Sequence, residues 1–215
     1  DRTELAFDPD TAQREGPIFE HWPQTTAGCI AVWAWGLQRC LEALQVINDP
    51  RMSCVGTVGH SRGGKAALLA AALDNRFAAA ISHNSGTAGA ASLAIHADGA
   101  ETLAQLQQRF PHWLNPGIGQ VELAEIIQGD APRSMLQSMA PRGLCLLQAS
   151  DDLWANPSGT RHAVERLRAH WQALGLSDHL THFTRTGGHR MTALDWSRAA
   201  QTLANIQSLN QLQKN

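Results

Sequence analysis

Apolar positions recur along the chain with two periods, and the switch between them marks the elements. Ile30, Trp33, Leu37, Leu41 and Leu44 fall at three- and four-residue steps, predicting an amphipathic helix over about 27–47. Thr25 or Thr26 can cap it, and Asn48, Asp49 and Pro50 end it. Met52 to Val58 is short and β-leaning and predicts a strand, while Ala66 to Leu73 is a strong helix former closed by Asp74 and Asn75. Phe77 to Ser82 predicts the next strand, running into a Gly-rich loop over 85–91. Residues 92–140 read as helices and loops, with helices around 100–109, 121–128 and 132–139. Gly143 to Ala149 predicts a buried strand, followed by a helix over about 158–174. His179 to Thr186 gives a last strand, and a helix from about 192 to 212 finishes the pattern. Residues 1–25, with Pro9, Gly16, Pro17 and Pro23, show little periodicity and predict an irregular opening segment.

Strands alternating with helices argue an α/β fold: a mostly parallel sheet covered on both faces, in a three-layer sandwich. At 215 residues the chain fits one domain, 1–215, with a substantial core.

Composition narrows the functions. A net charge of −2 with 17% charged residues leaves no basic stripe for nucleic acid and no acidic tail. No apolar run approaches the roughly 20 residues of a membrane span. The sequence shows no signal-peptide pattern, so the compartment cannot be read from it. Cys29 and Cys40 sit too far apart on one predicted helix to bridge, and Cys54 and Cys145 fall in predicted core strands. Buried free thiols are the expectation.

The candidate chemistry centres on Gly59-His60-Ser61-Arg62-Gly63-Gly64-Lys65, set between a predicted strand and a predicted helix. Strand, Gly-x-Ser-x-Gly, helix is the nucleophile elbow of α/β hydrolases, in which the serine hydroxyl projects above the sheet on a strained turn. Gly59 and Gly63 are expected where a Cβ would collide with the neighbouring strand and helix. A hydrolase sheet normally has several strands before its elbow. Here the count begins with the elbow strand, so the sequence looks like the C-terminal part of a longer catalytic domain.

Ser61 needs a base, and the base needs an acid. His189 lies directly after the last predicted strand on the glycine-flexed loop Gly187-Gly188, where this fold places the histidine. His60 adjoins Ser61, but neighbours on an elbow are expected to point apart. His21, His83, His96, His112, His162, His170, His179 and His182 read as surface or structural. Asp151 and Asp152, after strand 143–149, are the acid candidates, with a solvated strand-end cap as the bland alternative. No histidine pair at metal-ligand spacing shares a predicted face with a carboxylate, so no metal or organic cofactor is expected.

Several blocks together resemble the glucuronoyl esterases, carbohydrate esterase family fifteen. They are Ala31 to Leu37, the elbow with Gly64 and Lys65, Leu73 to Phe77, Glu101-Thr102 and Phe110 to Leu114. Ala140 to Arg142, Asp151 to Pro157, Gly188 to Arg190 and Asp195-Trp196 complete the likeness, which covers nearly all of 27–200. The resemblance implies a serine esterase cleaving glucuronate esters between xylan and lignin alcohols, in a secreted or periplasmic setting. It implies Ser61 as nucleophile, His189 as base, and Arg62 over the oxyanion. Lys65 and Glu101 would bind sugar hydroxyls and Trp154 would pack on the sugar ring. Lys65 could instead be a solvated helix lysine, and Trp154 could be core. Many members carry a glutamate acid where this chain has Asn84, and others use an aspartate after the next strand, which Asp152 matches by its spacing to Trp154. The family's Asp-Gln-His block reads Asp130-Ala131-Pro132 here. A carbohydrate acetyl esterase and a catalytically impaired carbohydrate-binding homologue are the alternative expectations.

Overall fold

Four short strands form one parallel sheet in the order in which they occur: β1 (Gly56–His60), β2 (Ala79–His83), β3 (Gly143–Ala149) and β4 (Leu180–Arg185). The structure is a computed structural model that describes residues 5–7, 11–47 and 49–212. Parallel neighbours need crossovers, and the chain supplies helices for each. Strands β1 and β2 are joined through α3 (Arg62–Leu73), and β3 and β4 through α7 (Pro157–Ala173). Between β2 and β3 run α4 (Leu103–Arg109), α5 (Gln120–Gln128) and α6 (Ala131–Gln137).

Period-two alternation in β3 shows the layering. Leu144 and Leu146 join Leu68, Ala71, Val164, Leu167 and Trp171 in the core beneath α3 and α7. Cys145 and Leu147 face the other way and pack with Ile81, Ala199 and Ile206 under the C-terminal helix α8 (Ala193–Leu212). Both faces are therefore covered, as an apolar strand of this kind requires. Helix α2 (Cys29–Ile47) lies against α3 and adds Ala34 and Leu41 to the larger core. No helix among the described residues is long and apolar enough to cross a membrane.

Several expectations change. The first strand starts at Gly56 and runs through His60, because Pro50–Met52 forms a 3-10 turn and pairing with Ala79–His83 decides the register. The opening segment is not wholly irregular: α1 (Pro17–His21) follows Gly16, and Ala6 and Phe19 join a small core with Cys29, Ile30 and Trp113. Cys54 precedes the strand and is half-buried and Cys40 is exposed, so only Cys29 and Cys145 are buried thiols. Expectations resting on Pro9 and Asn48 fall outside the described residues. Strand β1 is an edge of the described sheet, and its Val58 is 37% exposed.

Candidate active site

Each strand delivers polar groups at its C-terminal end, where ligands of open α/β sheets bind. Ser61 follows β1 with φ 55° and ψ −125°, a left-handed turn that L-residues rarely adopt. Its amide donates to the His83 carbonyl at 2.9 Å, which ties the elbow to β2. A Cβ on Gly59 would stand 2.0 Å from the Gly63 carbonyl oxygen, so the elbow closes only over glycine there. The collision expected at Gly63 is absent, since a Cβ there meets nothing within 4 Å.

His189 Nε2 lies 2.9 Å from Ser61 Oγ, and its Nδ1 lies 2.5 Å from Asp152 Oδ2. Asp152 is 6% exposed. Burial pushes its carboxyl up, but the His189 bond and charge, with amides of Ala155 and Asn84, outweigh burial and hold it below the usual carboxylate range. Asn84, just after β2, donates Nδ2 to the same Asp152 oxygen at 2.6 Å and accepts the Ala149 amide at 2.8 Å. Asp151 stands apart: it is exposed, accepts from Ser150 Oγ and the Gly187 amide, and points at no imidazole.

A cleft of about 190 Å³ opens beside Ser61 and His189. Arg62, Lys65, Glu101, Trp113 and Trp154 are among the residues that line it. Arg62 is exposed, with its guanidinium 5.9 Å from the centre of the Trp33 ring. Lys65 is no solvated helix lysine but is 6% exposed. Its Nζ donates to the Ser85 and Thr87 carbonyls at 2.5 Å each. An ammonium has three donors, so one remains for a ligand. Burial lowers Lys65 to about 8, with Glu101 opposing, and burial raises Glu101. Glu101 Oε1 is buried with no hydrogen-bond partner among the described residues. Trp154 is 38% exposed, so it is not core, and the Arg109 guanidinium sits 5.0 Å over its ring. No group of three or more His, Cys, Asp or Glu among the described residues is placed to hold a metal ion.

Sequence reasoning missed the contact between His60 and His189, while His83 is structural, one of the two readings it was given. The rings of His60 and His189 are 4.6 Å apart, and His83 lies behind His60, fully buried. Adjacent elbow residues do point apart in general, but the positive φ of Ser61 swings its hydroxyl to a histidine that also packs on His60. It also missed the bridging role of Asn84, whose only sequence signal was an amide where a carboxylate was expected.

A parallel sheet with a Gly-x-Ser-x-Gly turn after β1, an aspartate after β3 and a histidine after β4 has the order and geometry of an α/β hydrolase. A family model described as "Glucuronyl esterase, fungi" matches residues 1–175, and the chain belongs to that family. It is 32% identical over 184 residues to the carbohydrate esterase MZ0003 from an unknown prokaryotic organism, covering 79% of this chain and 42% of that protein. It is 28% identical over 213 residues to the 4-O-methyl-glucuronoyl methylesterase of Hypocrea jecorina, covering 94% of this chain and 46% of that one. The structure superposes on a family-fifteen glucuronoyl esterase from Caldicellulosiruptor kristjansonii with a TM-score of 0.76 at 27% identity, covering 88% of this chain and 54% of that one. The chain thus spans about half the length of the relatives it matches.

Proposed function

We propose that residues 1–215 form part of one α/β-hydrolase catalytic domain, acting as a serine carboxylic-ester hydrolase on 4-O-methyl-glucuronate esters of xylan. The observation that carries this is the unbroken chain Ser61 Oγ, His189, Asp152, at 2.9 and 2.5 Å, opening onto a cleft with a buried lysine and glutamate. Ser61 Oγ bonds to the ester carbonyl carbon as its proton passes to His189 Nε2. The carbonyl oxygen becomes an oxyanion beside Arg62 and the elbow amides. Collapse breaks the bond to the alcohol oxygen, which takes the proton from His189 and leaves. Water then attacks the acyl-enzyme, its proton going to His189, and the free uronic acid departs with Ser61 restored.

Lys65 and Glu101 support the sugar side of the reading. A sugar hydroxyl can accept from the spare Lys65 donor and donate to the unpartnered Glu101 oxygen, satisfying both buried groups at once. Trp154 offers an apolar face at the rim. The test compares hydrolysis of benzyl glucuronate with that of acetylated xylan, for the parent and for Ser61→Ala. Selective hydrolysis of the glucuronate ester, lost by several powers of ten in Ser61→Ala, is expected. Preference for acetylated xylan would replace the substrate, and retention of a tenth of the rate in Ser61→Ala would overturn the serine mechanism.

A further inference from the structure

Behind the catalytic histidine stand two more imidazoles that take no part in the proton path described above. His60 and His83 are register partners at the ends of β1 and β2, so their side chains leave the same face of the sheet. Their Nδ1 atoms are 2.8 Å apart, close enough to share one proton. The His60 ring lies 4.9 Å from His83 on one side and 4.6 Å from His189 on the other, tilted by about 45° to each. Neither His60 nor His83 lines the substrate cleft.

The far end of this stack is anchored. His83 Nε2 is 3.4 Å from Arg185 Nη2 and 3.4 Å from Asp195 Oδ2. Arg185 donates to Asp195, to the Thr186 carbonyl and to the Arg190 carbonyl, so the same guanidinium grips the loop that carries His189. Asp195 also accepts from the Thr192 amide and hydroxyl.

We propose that His60 is a positioning residue for the hydrolysis: a neutral imidazole platform, braced by His83, against which the His189 ring is seated and its cationic form stabilised. This rests on the serine-hydrolase reading of the site. A neutral aromatic face attracts a cation laid on it, whereas a second cation would repel it. Burial holds His60 below its ordinary value, with the neighbouring His189 acting in the same direction against Asp152 and Asp195. Burial likewise lowers His83 to about 4, with Asp195 opposing and His60, Arg185 and His189 reinforcing. Both shifts favour the uncharged rings, whichever tautomer the shared proton selects.

Three variants of the full chain separate a ring platform from a merely structural hydrogen bond. His60→Phe keeps a ring and loses the bond to His83, His60→Gln keeps a bond and loses the ring, and His60→Leu loses both. The readout is the rate of Ser61 labelling by a fluorophosphonate across pH, with kcat and KM on benzyl glucuronate measured alongside. His60→Gln and His60→Leu are expected to label about tenfold more slowly, with the acid limb displaced to lower pH and KM unchanged. His60→Phe is expected to stay within about threefold of the parent at its acid limb. Parent-like labelling by His60→Gln, equal losses in all three variants, or a KM change matching the kcat change would overturn the platform. Labelling reads the stack without any sugar, so a parent that labels but spares benzyl glucuronate refutes the substrate reading and leaves this test intact.

Discussion

Replacing Asp152 by asparagine has an outcome that Asn84 sets. Asn84 Oδ1 is committed to the Ala149 amide, so its Nδ2 must face residue 152. Asp152 Oδ2 meets that donor and His189 Nδ1 together. In Asp152→Asn the new amide can place its oxygen there and accept from both, whereas its NH₂ group would oppose the Asn84 donor. The carbonyl orientation wins, and His189 keeps the tautomer that leaves Nε2 ready for the serine proton. An Asp-to-Asn change in a serine protease triad that also imposes the wrong tautomer costs about ten-thousand-fold. Here only the charge is lost. Two unit charges about 4 Å apart at an effective dielectric of about 20 interact by about 4 kcal/mol, and the half-exposed His189 ring reduces this toward about 3. The expected loss in kcat is therefore about 150-fold, or roughly 3 kcal/mol of barrier. Asp152→Ala, which removes the acceptor as well, should lose about ten-thousand-fold. Asp151→Asn should stay within about threefold, because its amide oxygen can still accept the Gly187 N–H. Steady-state rates on benzyl glucuronate and an aryl acetate measure all three. Equal losses in Asp152→Asn and Asp152→Ala would refute the role given to Asn84, and a crippled Asp151→Asn would move the acid by one residue.

Lys65→Ala should raise KM for glucuronate esters more than for aryl acetates, while Arg62→Ala should lower kcat on both; equal Lys65 effects on the two substrates would remove it from the sugar site. Lys65 also predicts a pH dependence of stability. Between about 8 and the ordinary lysine value of 10.5, the unfolded chain holds a proton that the native chain has released, so stability from this group rises with pH and is lost as pH falls through 8. Urea unfolding at pH 8 and pH 10 should show that rise in the parent and its absence in Lys65→Met. The exposed edge of β1 should promote self-association of this chain, and Val58→Lys should reduce it in sedimentation velocity; a monomeric parent would refute this.

The parts of the fold legible in the sequence are those fixed by local pattern. Gly143 to Ala149 is a strand with both bounds as expected, because the apolar run Leu144 to Leu147, buried on two faces, has no other short solution. The elbow declares itself by spacing, and His189 by the glycines before it. The parts that were not legible depend on which strands lie side by side. His60 meets His83 only because β1 and β2 pair in parallel with residue 60 opposite residue 83, and no periodicity along one strand contains that number. From its own helix alone, Lys65 could equally be a solvated lysine. Its burial comes from carbonyls 20 and 22 residues away and from Glu101 in a later loop. The end of β1 was misread for a related reason: Gly59 and His60 read as part of the elbow turn until β2 supplies the ladder.

Strand order also bears on how the proposed triad accommodates an amide at the end of β2. Asn84 sits at φ 46°, a left-handed conformation that asparagine tolerates better than most residues. It turns the chain sharply out of β2, and its side chain reaches across to the end of β3 and binds both the Ala149 amide and the Asp152 carboxylate. A carboxylate at 84 would place a second negative charge within hydrogen-bond distance of the first, in a site already burying Asp152. Two such groups so close cannot both stay ionised at little cost. With asparagine there, one full negative charge faces His189 and is held in place by a neutral donor. On the proposed reading the acid thus moves one strand along the sheet, from β2 to β3. The move needs no change in Ser61 or His189, because all four strand ends open onto the same edge of the sheet.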